Sequence, residues 1–172
     1  ESTLSTNDLI VNSLSGFNSF GIYHSKINGI STAQLSIRDL QIPKLALANS
    51  TFSQIVLTCS NIIITGLGDF SFSKFEDFNF YNSTFRKQAS FTNSEFGATE
   101  FVGTRFVDAN VKFENTQIDK LNISNCSIQN TEILFSEINF SENSIFRIFE
   151  FDAQDVSRNA ELINVSNEAL QQ

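Results

Sequence analysis

Proline is nearly absent from this chain: Pro43 stands alone. A backbone that keeps nearly every N–H can pair continuously with neighbouring segments. Tryptophan and methionine are missing, while phenylalanine occurs 19 times, as expected of a core filled by one repeated shape. There is one histidine, His24, and the two cysteines have no zinc-type spacing. Basic residues are scarce, 11 against 19 acidic ones, for a net charge of −8. Direct nucleic-acid binding needs a basic footprint, so it is disfavoured and not expected, and an anionic membrane surface is disfavoured for the same reason. No apolar run is long enough to insert into a membrane, and "NIIITGL" at 61–67 is the nearest. No signal peptide is visible. The chain opens at Glu1 without a methionine, which reads as a processed form or a piece of a larger protein.

What is present is a period of five. In "DFSFSKFEDFNFYNSTF", residues 69–85, phenylalanine recurs at Phe70, Phe75, Phe80 and Phe85. An α-helix would scatter these side chains around its axis, and a plain strand would alternate them between faces. Such a period needs a bend in every repeat, so it predicts a coil of short sides rather than a helix or flat strand. The series continues at Phe91, Phe96, Phe101 and Phe106 after one extra residue. It resumes at Phe113, Ile118, Ile123, Ile128, Ile133 and Ile138 after two more. Two residues before each centre stands Gly, Ala, Ser, Thr or Cys, except at Phe78, Val111 and Leu121. A small residue there leaves room for the bulky centre. Both breaks, at 86–90 and 107–112, fall at one corner of the coil, where extra residues can bulge outward.

"SKFED", "STFRK", "SEFGA" and "TRFVD" follow the order small, polar, Phe, polar, polar, or nearly so. In this the chain resembles the pentapeptide repeat family. The resemblance implies an all-β fold, a right-handed quadrilateral β-helix with four pentads to a coil. At about twenty residues per coil and a strand spacing of ~4.8 Å, eight to nine coils would make a rod roughly 40 Å long. Residues 1–151 are expected to form this β-helix, regular over 70–140 and divergent over 1–69. In the divergent part Leu4, Leu9 and Leu14 form one run, and Phe17, Ile22 and Ile27 a second. Ile30, Leu35, Leu40 and Leu45 form a third, and Phe52, Leu57, Ile62 and Leu67 a fourth. A separate cap of mixed structure is the alternative for this part. Residues 152–172 break the period. Val156, Ala160, Ile163, Ala169 and Leu170 lie near one helical stripe, which predicts a C-terminal α-helical cap over the last coil. In gyrase-binding relatives a C-terminal segment builds a dimer, and the resemblance allows a homodimer here.

A column filled by its own side chains offers no cleft, so no catalytic, cofactor-binding or metal site is expected. His24 is expected to point outward. Cys126 is expected in the core and Cys59 at an outward or corner position. Some three coils apart, they would remain unpaired, which favours the cytoplasm and leaves a secreted effector open.

Function then belongs to the outer surface. Stacking the coils gathers an acidic flank of Glu76, Asp77, Glu95, Asp119 and Glu137 and a smaller basic flank of Arg86, Lys87 and Arg105. Leu134, Phe135 and Phe140 are expected outward as an apolar contact site. The first reading is a non-catalytic protein–protein interaction module with an unidentified protein partner. It would be built into a larger bacterial protein or secreted effector, as the resemblance implies. The second is also implied by the resemblance: a DNA mimic that binds DNA gyrase and protects it from quinolones. Its charge is sparse beside a duplex carrying one negative charge per ~1.7 Å.

Overall fold

The structure, a computed structural model, describes residues 2–12, 18–140, 146–148 and 163–165. Among these residues there is no helix. The strands are β1 (Ser2–Asn12), β2 (Ser19–Tyr23), β3 (Ser25–Ala48), β4 (Thr51–Asp69), β5 (Lys74–Tyr81) and β6 (Thr84–Ser90). They continue as β7 (Glu95–Val102), β8 (Arg105–Ser124), β9 (Ser127–Gln129), β10 (Glu132–Phe140), β11 (Phe146–Ile148) and β12 (Ile163–Val165). Every pairing is parallel, in the order β1-β3-β4-β5-β7-β8-β10-β12. The remaining strands join alongside, with β6 between β4 and β8. Parallel partners a full coil apart in sequence make a β-solenoid of about six turns.

Among the described residues the coils number about six, against eight to nine expected of the whole chain, and each is longer than the expected twenty residues. Phe75 pairs with Phe96 and Phe96 with Ile118, steps of 21 and 22 residues. Ile27 pairs with Phe52 after 25. Corners take up the residues beyond four pentads, so the same chain winds fewer times.

Four stacks of bulky side chains fill the interior. Phe70, Phe91, Phe113 and Phe135 lie face to face with centroids 5.0, 4.5 and 5.0 Å apart. Ile27, Phe52, Phe75, Phe96 and Ile118 form the second stack, and Ile37, Cys59, Phe80, Phe101 and Ile123 the third. Ile42, Ile64, Phe85, Phe106 and Ile128 form the fourth. All are buried. The spacing between rings is that of neighbouring strands, so each layer sits on the last without tilt.

The small residues two positions earlier do more than leave room. Ser73 Oγ donates to the Leu47 carbonyl (2.8 Å) and accepts from the Ser50 N–H (3.1 Å). Ser94 Oγ repeats this with Phe70 and Ser73 at 2.9 and 3.2 Å. Thr116, Thr104 and Cys126 donate likewise to Phe91, Phe80 and Phe101. At corners where the strand ladder is interrupted, these groups satisfy buried backbone atoms between coils. Phe78 and Leu121 lie within β5 and β8, where the ladder runs through the bend. No bridging hydroxyl is needed there, and apolar bulk is accepted. Thr99 shares their stack, and its Oγ1 is buried without a partner.

Three corner stacks hold positive φ: Asp39, Asn61, Asn82, Gly103 and Asn125; His24, Asn49, Phe72, Asn93, Asn115 and Glu137; and Lys87, Asp108 and Asn130. Asn and Asp tolerate this left-handed conformation best after glycine. Their side chains also tie coils together. Asn115 Nδ2 donates to Asn93 Oδ1 (2.6 Å), Asn61 to Asp39 (3.2 Å) and Asn130 to Asp108 (3.2 Å). The asparagine-rich composition follows from these corners.

Several inward assignments change. A third step, of two residues, follows Ile128 at the same corner as the first two. Ile133 consequently pairs with Val111 and Ile138 with Thr116, while Phe135 pairs with Phe113 and Phe140 with Ile118. Phe135 is thus a core residue, 3% exposed, and not an outward contact. In the N-terminal half the register shifts between Phe52 and Val56, with Gln54 at positive φ. This step carries Cys59 onto Phe80 and fully into the core, correcting its expected outward position. It also leaves Leu57 and Ile62 two positions before the centres Cys59 and Ile64. Leu67 is only half-buried, and Ile30 is 56% exposed instead of inward. The predicted helix over 152–172 lies outside the described residues except at Ile163–Val165. There the chain is extended and pairs in parallel with Ile133–Phe135.

Candidate interaction surface

The acidic residues of the outer face are gathered by stacking of β5, β7 and β8. Lys74 pairs with Glu95, and Glu95 with Gln117; Asp77 pairs with Ala98, and Ala98 with Lys120. Glu76 and Asp119 stand one coil to either side of Gly97. A Cβ at Gly97 would come within 2.1 Å of the Glu76 carbonyl, so glycine is what lets the chain turn this corner in step with its neighbour. Asn79 pairs with Glu100, and Glu100 with Asn122. Glu100 accepts from Tyr81 Oη (3.0 Å) and from Asn122 Nδ2 (3.4 Å).

The carboxylates feel one another. Burial first, then the charges of Glu76 and Glu100, raise the Asp77 carboxyl above its ordinary range. Burial and the hydrogen bond to Glu100 raise the Tyr81 phenol. Lys74 Nζ lies 2.5 Å from Glu95 Oε2, with both side chains more than half exposed. That hydrogen bond, followed by the charges of Glu95, Asp119 and Glu76, raises the Lys74 ammonium, while its slight desolvation opposes them. An ion pair this exposed adds little stability. Its effect is to neutralise one of the carboxylates.

Of the expected flank, Glu76, Asp77, Glu95 and Asp119 are brought together. Glu137 is not: the step after Ile128 sets it opposite Asn115, at a positive-φ corner. Glu100 joins the face without having been singled out, although its position just before the centre Phe101 marks it as outward. The expected apolar contact does not form. Leu134 is half-buried opposite Lys112, Phe135 is core, and the side chain of Phe140 lies outside the described residues. An exposed apolar residue that precedes Lys74 and Glu76 along the chain is Phe72, 58% exposed at a corner. A bulky residue at the second position after a centre, where Asn recurs, is the signal that marks it.

The basic residues Arg86, Lys87 and Arg105 are exposed on β6 and β8. His24 is exposed as expected, and lines an open hollow of about 380 Å³ with Ser25, Lys26, Asn49 and Thr51. Both cysteines are buried and unpaired. Burial pushes both thiols up, Cys59 far up, which disfavours the reactive thiolate. Among the described residues no group of three or more His, Cys, Asp or Glu is placed to hold a metal ion. No helix among them is long and apolar enough to cross a membrane. Comparison with protein-family models, with curated proteins and with solved structures returned no match.

Proposed function

We propose that this chain is a non-catalytic protein-interaction module that presents the acidic face of Glu76, Asp77, Glu95, Glu100 and Asp119 to a basic protein partner. One observation carries the reading: strand pairing stacks these carboxylates on successive coils with only Lys74 and Lys120 among them, and burial together with the charges of Glu76 and Glu100 raises the Asp77 carboxyl. Like charges held together on rigid strands disfavour the free fold, and an incoming cation relieves them. The five-residue period, the parallel coils and the small inward residues support a right-handed quadrilateral β-helix of the pentapeptide-repeat type. The homodimer and a place in a larger bacterial protein are part of this proposal, as is the helical cap except at Ile163–Val165, where the chain is a strand.

Gyrase mimicry is the second reading, supported by the net charge of −8 and the stacking of acidic residues on successive coils. Lys74 and Lys120 lie within the acidic face, so its charge is sparse beside that of a duplex. A supercoiling assay with purified gyrase separates the two. No inhibition at micromolar protein is expected, and inhibition would favour the mimic. In parallel, the immobilised chain should retain a basic protein from an extract of its native host. It should release that protein at about 1 M salt, where the Debye length is ~3 Å. A bound protein that is insensitive to salt would sink the electrostatic reading.

A further inference from the structure

The geometry points to Phe72 as the anchor of the docking site: we propose that its exposed ring stacks on an arginine guanidinium of a basic partner segment while the flanking carboxylates pair with neighbouring cations. This rests on the reading of the acidic face as a docking surface and names the partner's chemistry.

The fold does not require a ring at this position. Phe72 has φ 55°, in a corner stack otherwise occupied by His24, Asn49, Asn93, Asn115 and Glu137. Its backbone N–H donates to Thr92 at 3.0 Å, the bond that Asn49 makes to Ser71 and Asn93 to Glu114. Any residue with an N–H could make it. The side chain interrupts the asparagine ladder that Asn115 and Asn93 form below it. A bulky residue held in left-handed conformation with its ring in water is disfavoured on both counts, and such outliers gather where a surface is used.

The surroundings select the occupant. The neighbours along the chain, Ser71 and Ser73, and along the corner, Asn49 and Asn93, are polar, so no extended apolar contact is on offer. Carboxylates lie to both sides. Asp69, which accepts from Ser71 Oγ (2.5 Å), precedes the corner, while Glu76 and Glu95 follow it. The cation between them, Lys74, is bonded to Glu95. An isolated exposed ring with carboxylates before and after its corner suits a cation that can lie flat. Guanidinium does so, whereas ammonium is a strongly hydrated point charge.

Isothermal titration calorimetry with nona-arginine and nona-lysine at low ionic strength tests this. The wild-type chain should bind nona-arginine about three- to five-fold more tightly than nona-lysine, the margin of an exposed cation–π contact. Phe72→Asn should fold and melt no lower than wild type, lose the arginine preference, and keep the weaker, salt-sensitive binding of both peptides. Phe72→Leu, which keeps the bulk and loses the ring, should lose the preference too. An unchanged arginine-to-lysine ratio in either variant overturns the anchor. If neither peptide binds wild type, or if Glu76→Gln/Glu95→Gln/Asp119→Asn binds both as well as wild type does, the acidic-face reading itself falls.

Discussion

The ring of Phe135 lies on the ring of Phe113, centroids 5.0 Å apart and planes 13° from parallel. This contact extends the Phe70–Phe91–Phe113 stack by one coil and fixes the register of β10. Phe135→Ala should cost roughly 3–5 kcal/mol, as truncation of a buried aromatic does, and Phe135→Asp should prevent folding. Leu134→Ala, next to it and half-buried, should cost less than half as much. Chemical denaturation monitored by circular dichroism checks the pair, and equal losses would contradict the register.

Thr99 should be improvable. Its Oγ1 is buried without a partner, in a stack where the coils on either side place Phe78 and Leu121. Thr99→Val keeps the shape and removes the orphaned hydroxyl. The gain should be about 1–2 kcal/mol, because an unmet buried polar group costs that much. A loss on denaturation would mean that the hydroxyl has a partner in solution.

How far the sequence led is plain at these positions. From Phe70 to Ile128 the period places every inward centre, because most pentads there carry one bulky apolar residue with a small one two before it, and at Phe78, Val111 and Leu121 the pentads on either side hold the register. It failed where apolar residues fill both inward positions of a repeat. "EILFSEINF" offers Ile133 and Phe135, then Ile138 and Phe140, and either set keeps a step of five. The choice falls to the corner before them, where two extra residues shift Phe135 inward and carry Glu137 away from the acidic face. Leu57 and Cys59 pose the same ambiguity, decided by a step at Gln54. Spacing alone does not say whether a polar run holds one residue or three beyond its quota. The acidic face is legible at Glu76, Asp77, Glu95 and Asp119 because the phenylalanine spacing itself shows the steps at 86–90 and 107–112 that set Glu95 and Asp119 in register. Phe72 is not marked by the period, because it lies at a corner, outside the series of inward centres.

Phe72→Asn should stabilise the fold by about 1 kcal/mol, since asparagine accepts the left-handed backbone that phenylalanine resists. It also puts an amide between Asn49 and Asn93 in the corner ladder. A thermal melt checks this, and a lower melting temperature would mean that the ring is held by contacts within the fold.

Asp77 sets a pH dependence. Its folded carboxyl is raised by burial and by Glu76 and Glu100, so the folded chain holds this proton more tightly than the unfolded chain. Its contribution therefore favours the fold at low pH and is lost as pH rises through the raised value. Asp77→Asn should melt above wild type at pH 7, and the gap should close as pH falls below the ordinary aspartate range. A gap that is independent of pH would place the carboxyl in water, free of its neighbours.

The account stands on the acidic face as the place where a basic partner docks. Its most direct test is the association rate of the partner recovered from the host extract, measured by stopped flow at two ionic strengths. The chain is compared with Glu76→Gln/Asp77→Asn/Glu95→Gln/Asp119→Asn. Wild type should associate roughly ten-fold faster at low salt and slow steeply as salt rises, while the neutralised chain associates slowly at both. Equal rates for the two chains, with equal salt dependence, would contradict it.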